Sequence, residues 1–179
     1  MDPKSGKSNL PYLRKHLAGS GSTVVTFTTW EEGLMVQPSN PKQIRSVADV
    51  ARKGIVVVNR EQGAGAKSLL DQKLSEAGMS PHQLTGYERI VGSHLEVARL
   101  VATGQTDVGI GIRSVARLLG LDFLPLQEAR YDLVVPTAYL TGHPSLATFM
   151  DTIVSRQFRA EVEALGGYDT RDTGKLQTL

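Results

Sequence analysis

Apolar, β-branched segments alternate with helical segments along most of this chain, and this alternation restricts the fold more than any other feature. Ile55 to Val58 is a continuous apolar run, which is the pattern of a strand covered by helices on both faces. After a glycine-containing loop, Ala66 to Ala77 carries apolar residues at helical spacing, and Gly78 ends the helix. The strand, loop and helix form half of a βαβ unit. The sequence therefore predicts an α/β fold with a parallel sheet.

The same alternation continues on both sides of this unit. The predicted further strands are Thr23 to Thr28, Leu34 to Val36, Tyr87 to Val91, Val108 to Ile112, Phe123 to Leu126 and Tyr131 to Val135. The predicted further helices begin at Ser46, where Asp49 completes a capping box, and cover His94 to Ala102, Ser114 to Leu119, Leu146 to Val154 and Phe158 to Leu165. Pro38 to Pro41 predicts a turn, and the tail after Gly167 is polar.

Composition excludes several kinds of site. A chain of 179 residues is expected to form one compact domain or two small lobes. The absence of cysteine excludes disulfides, thiolate zinc sites and cysteine nucleophiles. The four histidines stand far apart, so we predict no metal site and no cofactor.

Charge and hydropathy also limit the partners. The 20 basic and 18 acidic residues leave a net charge of +2, too weak a field to indicate nucleic-acid binding. Ser114 to Leu121 is partly similar to a helix-turn-helix, but a predicted strand follows it, so we expect no direct DNA contact by this chain. No apolar run is long enough to span a bilayer or to serve as a signal peptide, and a cytoplasmic location is the expectation.

The loop from Asn59 to Ser68 is the strongest candidate for a binding site. It joins a buried strand to the beginning of a helix, where free amides and the helix dipole attract anions. Gly63 and Gly65 let the main chain approach a ligand, and Arg60 or Lys67 adds positive charge. A tight strand-to-helix turn without a ligand is the alternative.

Two nucleotide-binding motifs do not fit this loop. The phosphate-binding P-loop needs glycines where Glu61 and Ala66 stand. The dinucleotide fingerprint needs a third glycine at the position of Ser68. Neither a mononucleotide nor a dinucleotide site is predicted here.

A second helix amino terminus, Gly92-Ser93-His94, also follows a predicted strand. The carboxyl ends of parallel strands share one edge of a sheet, so we expect this segment to neighbour the first loop. Ser93 is also a plausible plain helix cap, with His94 facing solvent. A catalytic Ser-His pair is disfavoured because adjacent side chains diverge in a helix and no Gly-x-Ser-x-Gly elbow is present. We therefore predict no enzyme activity.

Two further positions are open to a functional or a structural interpretation. Gly111, inside a predicted strand, lets a ligand or another backbone approach, or it accommodates a helix packed over small residues. Tyr131 opens a returning strand and either presents its hydroxyl to a ligand or fills the core.

Several motifs in this order carry a resemblance to a known family. They are SNLPYL, GLMVQPSNPKQIRSVADVA, IVVVNREQGAGAKSLLDQKL, GYERIVGSHLEVARLVATGQTDVGIGI, LGLDFLPLQEARYDLVVP and FRAEVEALGGYDT. Together they resemble the periplasmic-binding-protein-like domain of type II, similar to LysR substrate-binding domains, that is found fused to molybdopterin molybdotransferases and to helix-turn-helix regulators.

The resemblance implies two α/β lobes joined by a hinge, with the ligand held in a cleft. GLMVQPSNP and YDLVVP resemble the two crossings. Lobe 1 would comprise residues 1–37 and 131–179, and lobe 2 residues 38–130. Family members normally begin with further elements that carry an early serine-containing anion loop, so we expect lobe 1 to be incomplete at the amino terminus.

The resemblance also implies a function. It indicates a sensor or effector domain for a small ligand, with an oxyanion such as molybdate or tungstate as the first expectation and an organic anion as the second. The alternatives are the non-catalytic portion of a molybdopterin-biosynthesis enzyme and the effector domain of a transcriptional regulator, with the fused domain upstream. The sequence leaves open whether the chain forms a homo-oligomer. The expected ligand-binding residues are Thr28, Thr29, Arg60, Gln62, Gly63, Ala64, Gly65, Ala66, Lys67, Ser93, His94, Gly111 and Tyr131.

Overall fold

A computed structural model describes residues 10–179, apart from the side chain of Thr141. The chain forms two compact units. The first unit extends to Trp30 and resumes from Glu128 to Leu179, and the second unit is Glu31–Gln127. The expected boundaries, after residues 37 and 130, lie a few residues later in the chain than the observed ones. Both observed boundaries fall inside long continuous strands, whereas the first expected boundary lies at the turn that follows the first of these strands.

The second unit is built on a sheet with the order β3-β2-β4-β1-β5. β2 pairs in parallel with β3 and with β4, as predicted, whereas β1 runs antiparallel to β4. The strands are β1 (Ser22–Val36), β2 (Val57–Arg60), β3 (Ile90–Val91), β4 (Val108–Ile112) and β5 (Asp122–Pro136).

Helices follow each of the three parallel strands of this unit. They are α2 (Gly65–Glu76), α3 (His94–Ala102) and α4 (Arg113–Leu118). The predicted helix after Ser46 is instead a short 3-10 helix, Val47–Ala51, and a second one spans Pro81–Gln83. The capping box of Ser46 and Asp49 does form, but the chain enters the buried segment at Ile55 before an α-helix could develop.

The sheet of the second unit is covered on both faces. Val57 belongs to an aliphatic cluster that includes Leu69, Leu70 and Leu74 of α2. The next residue, Val58, belongs to a second cluster under α3. Because successive strand residues point to opposite faces, the apolar run is buried on both sides, as its sequence predicts.

The first unit contains the amino-terminal part of β1 together with short elements from the two ends of the described chain. Its helices are α1 (Leu10–Leu17), α5 (Thr137–Gly142), α6 (Pro144–Val154) and α7 (Arg156–Ala164). β6 (Tyr168–Asp169) and β7 (Leu176–Thr178) pair antiparallel with β1. The amphipathic patterns predict α6 and α7, but α1, α5, β6 and β7 were not predicted. No described helix is long and apolar enough to cross a membrane.

Two pairs of predicted strands are each a single strand. Thr23 to Thr28 and Leu34 to Val36 are the two ends of β1, and Phe123 to Leu126 and Tyr131 to Val135 both lie in β5. The polar residues between the apolar segments interrupt the pattern without ending the strands. Glu31, for example, stays in β1 with its carboxylate paired to Arg113.

Candidate functional site

The carboxyl edge of the second unit is the end of the sheet where β2, β3 and β4 finish. The register places Arg60 beside Val91, and the antiparallel β1 brings Glu32 opposite Ile112 at the same edge. The first loop and the Gly92–His94 segment are therefore neighbours, as expected from parallel pairing. Nη2 of Arg60 donates a hydrogen bond to the carbonyl of Gly92 at 3.1 Å and joins the two segments directly.

The loop that follows β2 presents the amino terminus of α2. Gly63 turns the chain with φ of 91°, a left-handed conformation that favours glycine. Ala64 occupies the cap position and provides no side-chain hydrogen bond to the first amides of α2. Gln62 is exposed, whereas Ala66 is buried in the core, so only its amide is available to a ligand. The backbone geometry suits an anion.

Arg60 is held in place by its neighbours. Its guanidinium forms a fork with Glu61, with Nε to Oε2 at 2.8 Å and Nη2 to Oε1 at 2.7 Å. The hydrogen bonds from Arg60 lower the pKa of Glu61 to about 2. Part of the charge of Arg60 is therefore already neutralised within the protein.

Lys67 is engaged along the side of α2. Its ammonium donates to the Tyr87 hydroxyl and to Oδ2 of Asp71, the latter at 3.4 Å, and lies 4.2 Å from the centre of the Tyr87 ring. Burial opposes its protonation, but the hydrogen bond to Tyr87 and the charge of Asp71 raise the pKa of Lys67. Its charge is thus balanced within the helix and its immediate neighbours.

The amino terminus of α3 combines a helix cap with an unpartnered imidazole nitrogen. Oγ of Ser93 accepts a hydrogen bond from the amide of Glu96 at 3.1 Å, which is the structural role considered for this residue. The His94 ring hydrogen-bonds to the carbonyl of Ile110. Its Nδ1 is buried and has no hydrogen-bond partner among the described residues. Burial and the charge of Arg60 lower the pKa of His94, so the ring is neutral at pH 7.

Glu32 also belongs to this edge, although the sequence reasoning did not select it. It is 5% exposed, and its Oε2 accepts a hydrogen bond from Nε2 of Gln127 at 2.9 Å. Its Oε1 lies 3.9 Å from the position that a β-carbon would take at Gly65. A carboxylate thus stands where α2 begins, at the place an anionic ligand would approach. Two consecutive acidic residues within a strand that is otherwise uncharged were the available sequence signal.

The glycines of β4 make room for core side chains. A β-carbon at Gly111 would collide with the Met35 side chain, and one at Gly109 would come within 2.8 Å of Val58. Both glycines are buried. The group that packs closely against Gly111 is therefore a core side chain, Met35, and not a ligand. This is the structural interpretation considered for this position.

Three of the expected ligand residues belong to the first unit. Thr28 is buried, and its hydroxyl donates to the carbonyl of Asp169 at 3.0 Å, which fastens β6 to β1. Thr29 lines a depression of about 240 Å³ together with Asp169, Arg171 and Asp172.

Tyr131 is part of an aromatic cluster of the first unit. The side chain is 46% exposed, and its ring centre lies 5.4 Å from that of Trp30 and 5.9 Å from that of Phe27. The ring thus packs against the cluster with one side towards solvent. Within residues 10–179 no group of three or more histidine or acidic side chains is placed to hold a metal ion.

Comparison with known proteins agrees with this architecture. Residues 1–154 match the family model of the PBP superfamily domain, the periplasmic-binding-protein type. The uncharacterized protein YvgK of Bacillus subtilis (strain 168) is 35% identical over 175 residues, which are 98% of this chain and 56% of YvgK. This chain therefore spans about half the length of that relative.

Two solved structures share the fold. A substrate-binding protein with bound phosphate from Clostridium perfringens has a TM-score of 0.59 at 17% identity, covering 87% of this chain and 73% of its own. A substrate-binding domain from Clostridium difficile, described as part of a molybdenum ABC transporter, has a TM-score of 0.54 at 13% identity, covering 92% and 73%. With a family model that matches most of its length, this chain belongs to the PBP superfamily.

Proposed function

We propose that this chain is the ligand-binding domain of a longer protein and that its ligand is a small anion, with molybdate or tungstate as the first candidates. The observation that carries the proposal is the carboxyl edge of the second unit. There the amino termini of α2 and α3 lie side by side, and Arg60 joins them. Helix amino termini present unpaired amides and a positive dipole end to an anion.

Several contacts support anion binding at this edge. The first amides of α2 have no side-chain cap, so they are available as donors. The buried Nδ1 of His94 lacks a partner among residues 10–179, but in the neutral ring it is an acceptor and would instead favour a ligand that carries a hydrogen-bond donor. The phosphate bound by the Clostridium perfringens protein shows that this fold can hold an oxyanion.

Glu32 favours a second candidate, an anion that also carries a hydrogen-bond donor. The repulsion between a carboxylate and an oxyanion about 4 Å away is about 4 kcal/mol for each negative charge of the oxyanion, at an effective dielectric constant of about 20. A hydroxyl or ammonium group on an organic acid would instead donate to Oε1 of Glu32, which lies beside Gly65. An organic acid with such a group is therefore the alternative to molybdate.

In the longer protein, the bound ligand would be read by a fused domain. The chain covers only about half of YvgK, which leaves room for such a domain in that relative. A helix-turn-helix regulator and a molybdopterin molybdotransferase are the two fused partners that the family resemblance suggests. In either case the domain described here binds and does not catalyse.

A thermal-shift series tests the anion. Molybdate, tungstate, sulfate and phosphate are compared at matched ionic strength, and a ligand at about 100 times its Kd should stabilise the protein by about 2.7 kcal/mol. Stabilisation by molybdate or tungstate alone supports the first candidate. Arg60→Ala should lose about 1.5 to 3 kcal/mol of the binding free energy, and unchanged binding in this variant would remove the edge as the site.

Glu32→Gln separates the two candidates, with Glu88→Gln, an exposed residue of the same unit, as the matched control. Removing the carboxylate should strengthen the binding of a deprotonated oxyanion and weaken that of an amino- or hydroxy-acid. If no inorganic anion shifts the parent or the Glu32→Gln protein, the oxyanion candidate fails and the organic acid remains.

A further inference from the structure

A solvent-open cavity of about 470 Å³ lies in the first unit, which contains none of the residues proposed above for the carboxyl edge. Four of its residues, Arg156, Arg159, Ala160 and Glu163, are spaced to form one face of α7. Val154, Thr170 and Arg171 complete the lining. Apart from Val154, all of these residues follow the segment that matches the family model.

The lining is rich in arginine and poor in acidic groups. Arg171 is paired with Asp169, with Nη2 to Oδ2 at 2.5 Å. Glu163, the single carboxylate of the lining, accepts a hydrogen bond from the Thr170 hydroxyl at 2.5 Å. Within residues 10–179, Arg156 and Arg159 form no ion pair with any carboxylate. With Arg171 paired to Asp169 and with Glu163 counted against the other two arginines, the lining keeps one net positive charge.

Arg159 adds an unsatisfied donor. Its Nη2 donates to the carbonyl of Thr173 at 2.9 Å, which fixes the guanidinium against the turn after β6. Its Nε is buried and has no hydrogen-bond partner in the described part of the chain. A buried donor without an acceptor costs free energy, and a bound acceptor removes that cost.

We propose that this cavity binds a phosphate monoester of a small organic molecule. Two guanidinium groups without carboxylate partners offer several donors to the acceptor oxygens of a phosphate monoester. A single inorganic oxyanion would leave most of the volume empty, whereas about 300 to 1,000 Å³ is usual for an organic ligand. Val154 and Ala160 offer apolar surface to the organic part.

Binding of phenyl phosphate to the whole chain tests the proposal by isothermal titration and by the NMR signals of the arginine Nε–H groups. We expect saturable binding and a shifted Arg159 Nε–H signal. Arg156→Gln should weaken the affinity about tenfold or more, since a charge-assisted hydrogen bond is lost. Arg156 is exposed, so this variant should keep the fold.

Arg117→Gln, at an exposed arginine of α4, is the matched control and should leave the affinity unchanged. The proposal would be overturned if phenyl phosphate did not saturate the protein at concentrations up to about 10 mM. A Kd above that value corresponds to less than about 3 kcal/mol of binding free energy. Equal affinity of the parent and Arg156→Gln would also overturn it, as would binding of sulfate or benzyl alcohol as tight as that of phenyl phosphate. Arg60→Ala should not affect this binding, which distinguishes the cavity from the carboxyl edge.

Discussion

α2 and α7 each border a proposed anion site, but they are held in place by different forces. α2 buries Ala66, Leu69, Leu70 and Leu74 in an aliphatic core. α7 has no fully buried residue, and polar contacts such as that of Arg159 with Thr173 connect it to the turn after β6.

The difference affects which charged groups are available to a ligand. Beside α2, Arg60 is paired with Glu61, and Lys67 with Asp71, so backbone amides are the main free donors. Beside α7, Arg159 keeps a buried Nε–H without a partner among the described residues. At the two proposed sites we therefore expect the donors that the protein leaves unpaired, rather than the number of nearby cations, to determine anion affinity.

Removing a core leucine of α2 should cause the largest effect. Leu70→Ala is expected to lower the free energy of unfolding by about 2 to 5 kcal/mol, because it leaves a cavity at a residue that is 1% exposed. Val162→Ala, at a half-buried position of α7, should cost less than about 1.5 kcal/mol. Urea unfolding measures both. Equal losses would show that the two helices are held in the same way.

The polar attachment of the first unit should show the next largest effect. Thr173 is 3% exposed, and its hydroxyl donates to the carbonyl of Phe27 at 2.6 Å. Thr173→Val keeps the shape but leaves that carbonyl without its donor, which should cost about 1 to 3 kcal/mol in urea unfolding. Thr148→Val, at an exposed position of α6, serves as the control. A loss no larger than that of the control would argue against hydroxyl contacts as the attachment.

One polar contact also matters in the second unit. Ser93→Ala removes the hydroxyl that accepts a hydrogen bond from the amide of Glu96. We expect the free energy of unfolding to fall by about 0.5 to 2 kcal/mol. Ser75→Ala, at an exposed position of α2, should cause no loss. A stability unchanged by Ser93→Ala would show that the cap does not stabilise α3.

The smallest effect should be the dependence of stability on pH through His94. Because its pKa in the folded protein is below 6.5, the unfolded chain binds more protons near and below that pH. The stabilisation that the neutral His94 ring contributes is therefore fully present above pH 6.5, and it is lost as the pH falls through the pKa of the folded protein. His94→Gln should flatten this part of the profile. An NMR titration that placed the His94 pKa above 6.5 would contradict the expectation.

The sequence predicted α2, α3, α4 and β4 of the second unit well because aliphatic periodicity determines them, whereas β3 comprises only Ile90–Val91 of the predicted Tyr87 to Val91. α3 and β4 have the bounds that their apolar residues predict, and α2 differs by a single residue at each end. The pairing of these parallel strands also brings the Arg60 loop and His94 to one edge, as expected.

The remaining features depend on contacts between distant residues that local patterns do not record. β6 and β7 are strands because their backbones pair with β1, and neither has an apolar run of its own. Glu32 reaches Gly65 only through the antiparallel pairing of β1 with β4. The position of this carboxylate beside the first residue of α2 therefore could not be predicted from spacing.

The hydrogen bond between Glu32 and Gln127 has a consequence for the ancestry and engineering of the chain. These residues lie at the two ends of the second unit, and their side chains meet at 2.9 Å. The second unit therefore begins and ends at adjacent positions, the arrangement that allows a domain to be transplanted or circularly permuted with little disturbance at the junction. A recombination event could exchange the carboxyl edge, with its candidate ligand residues, as one segment.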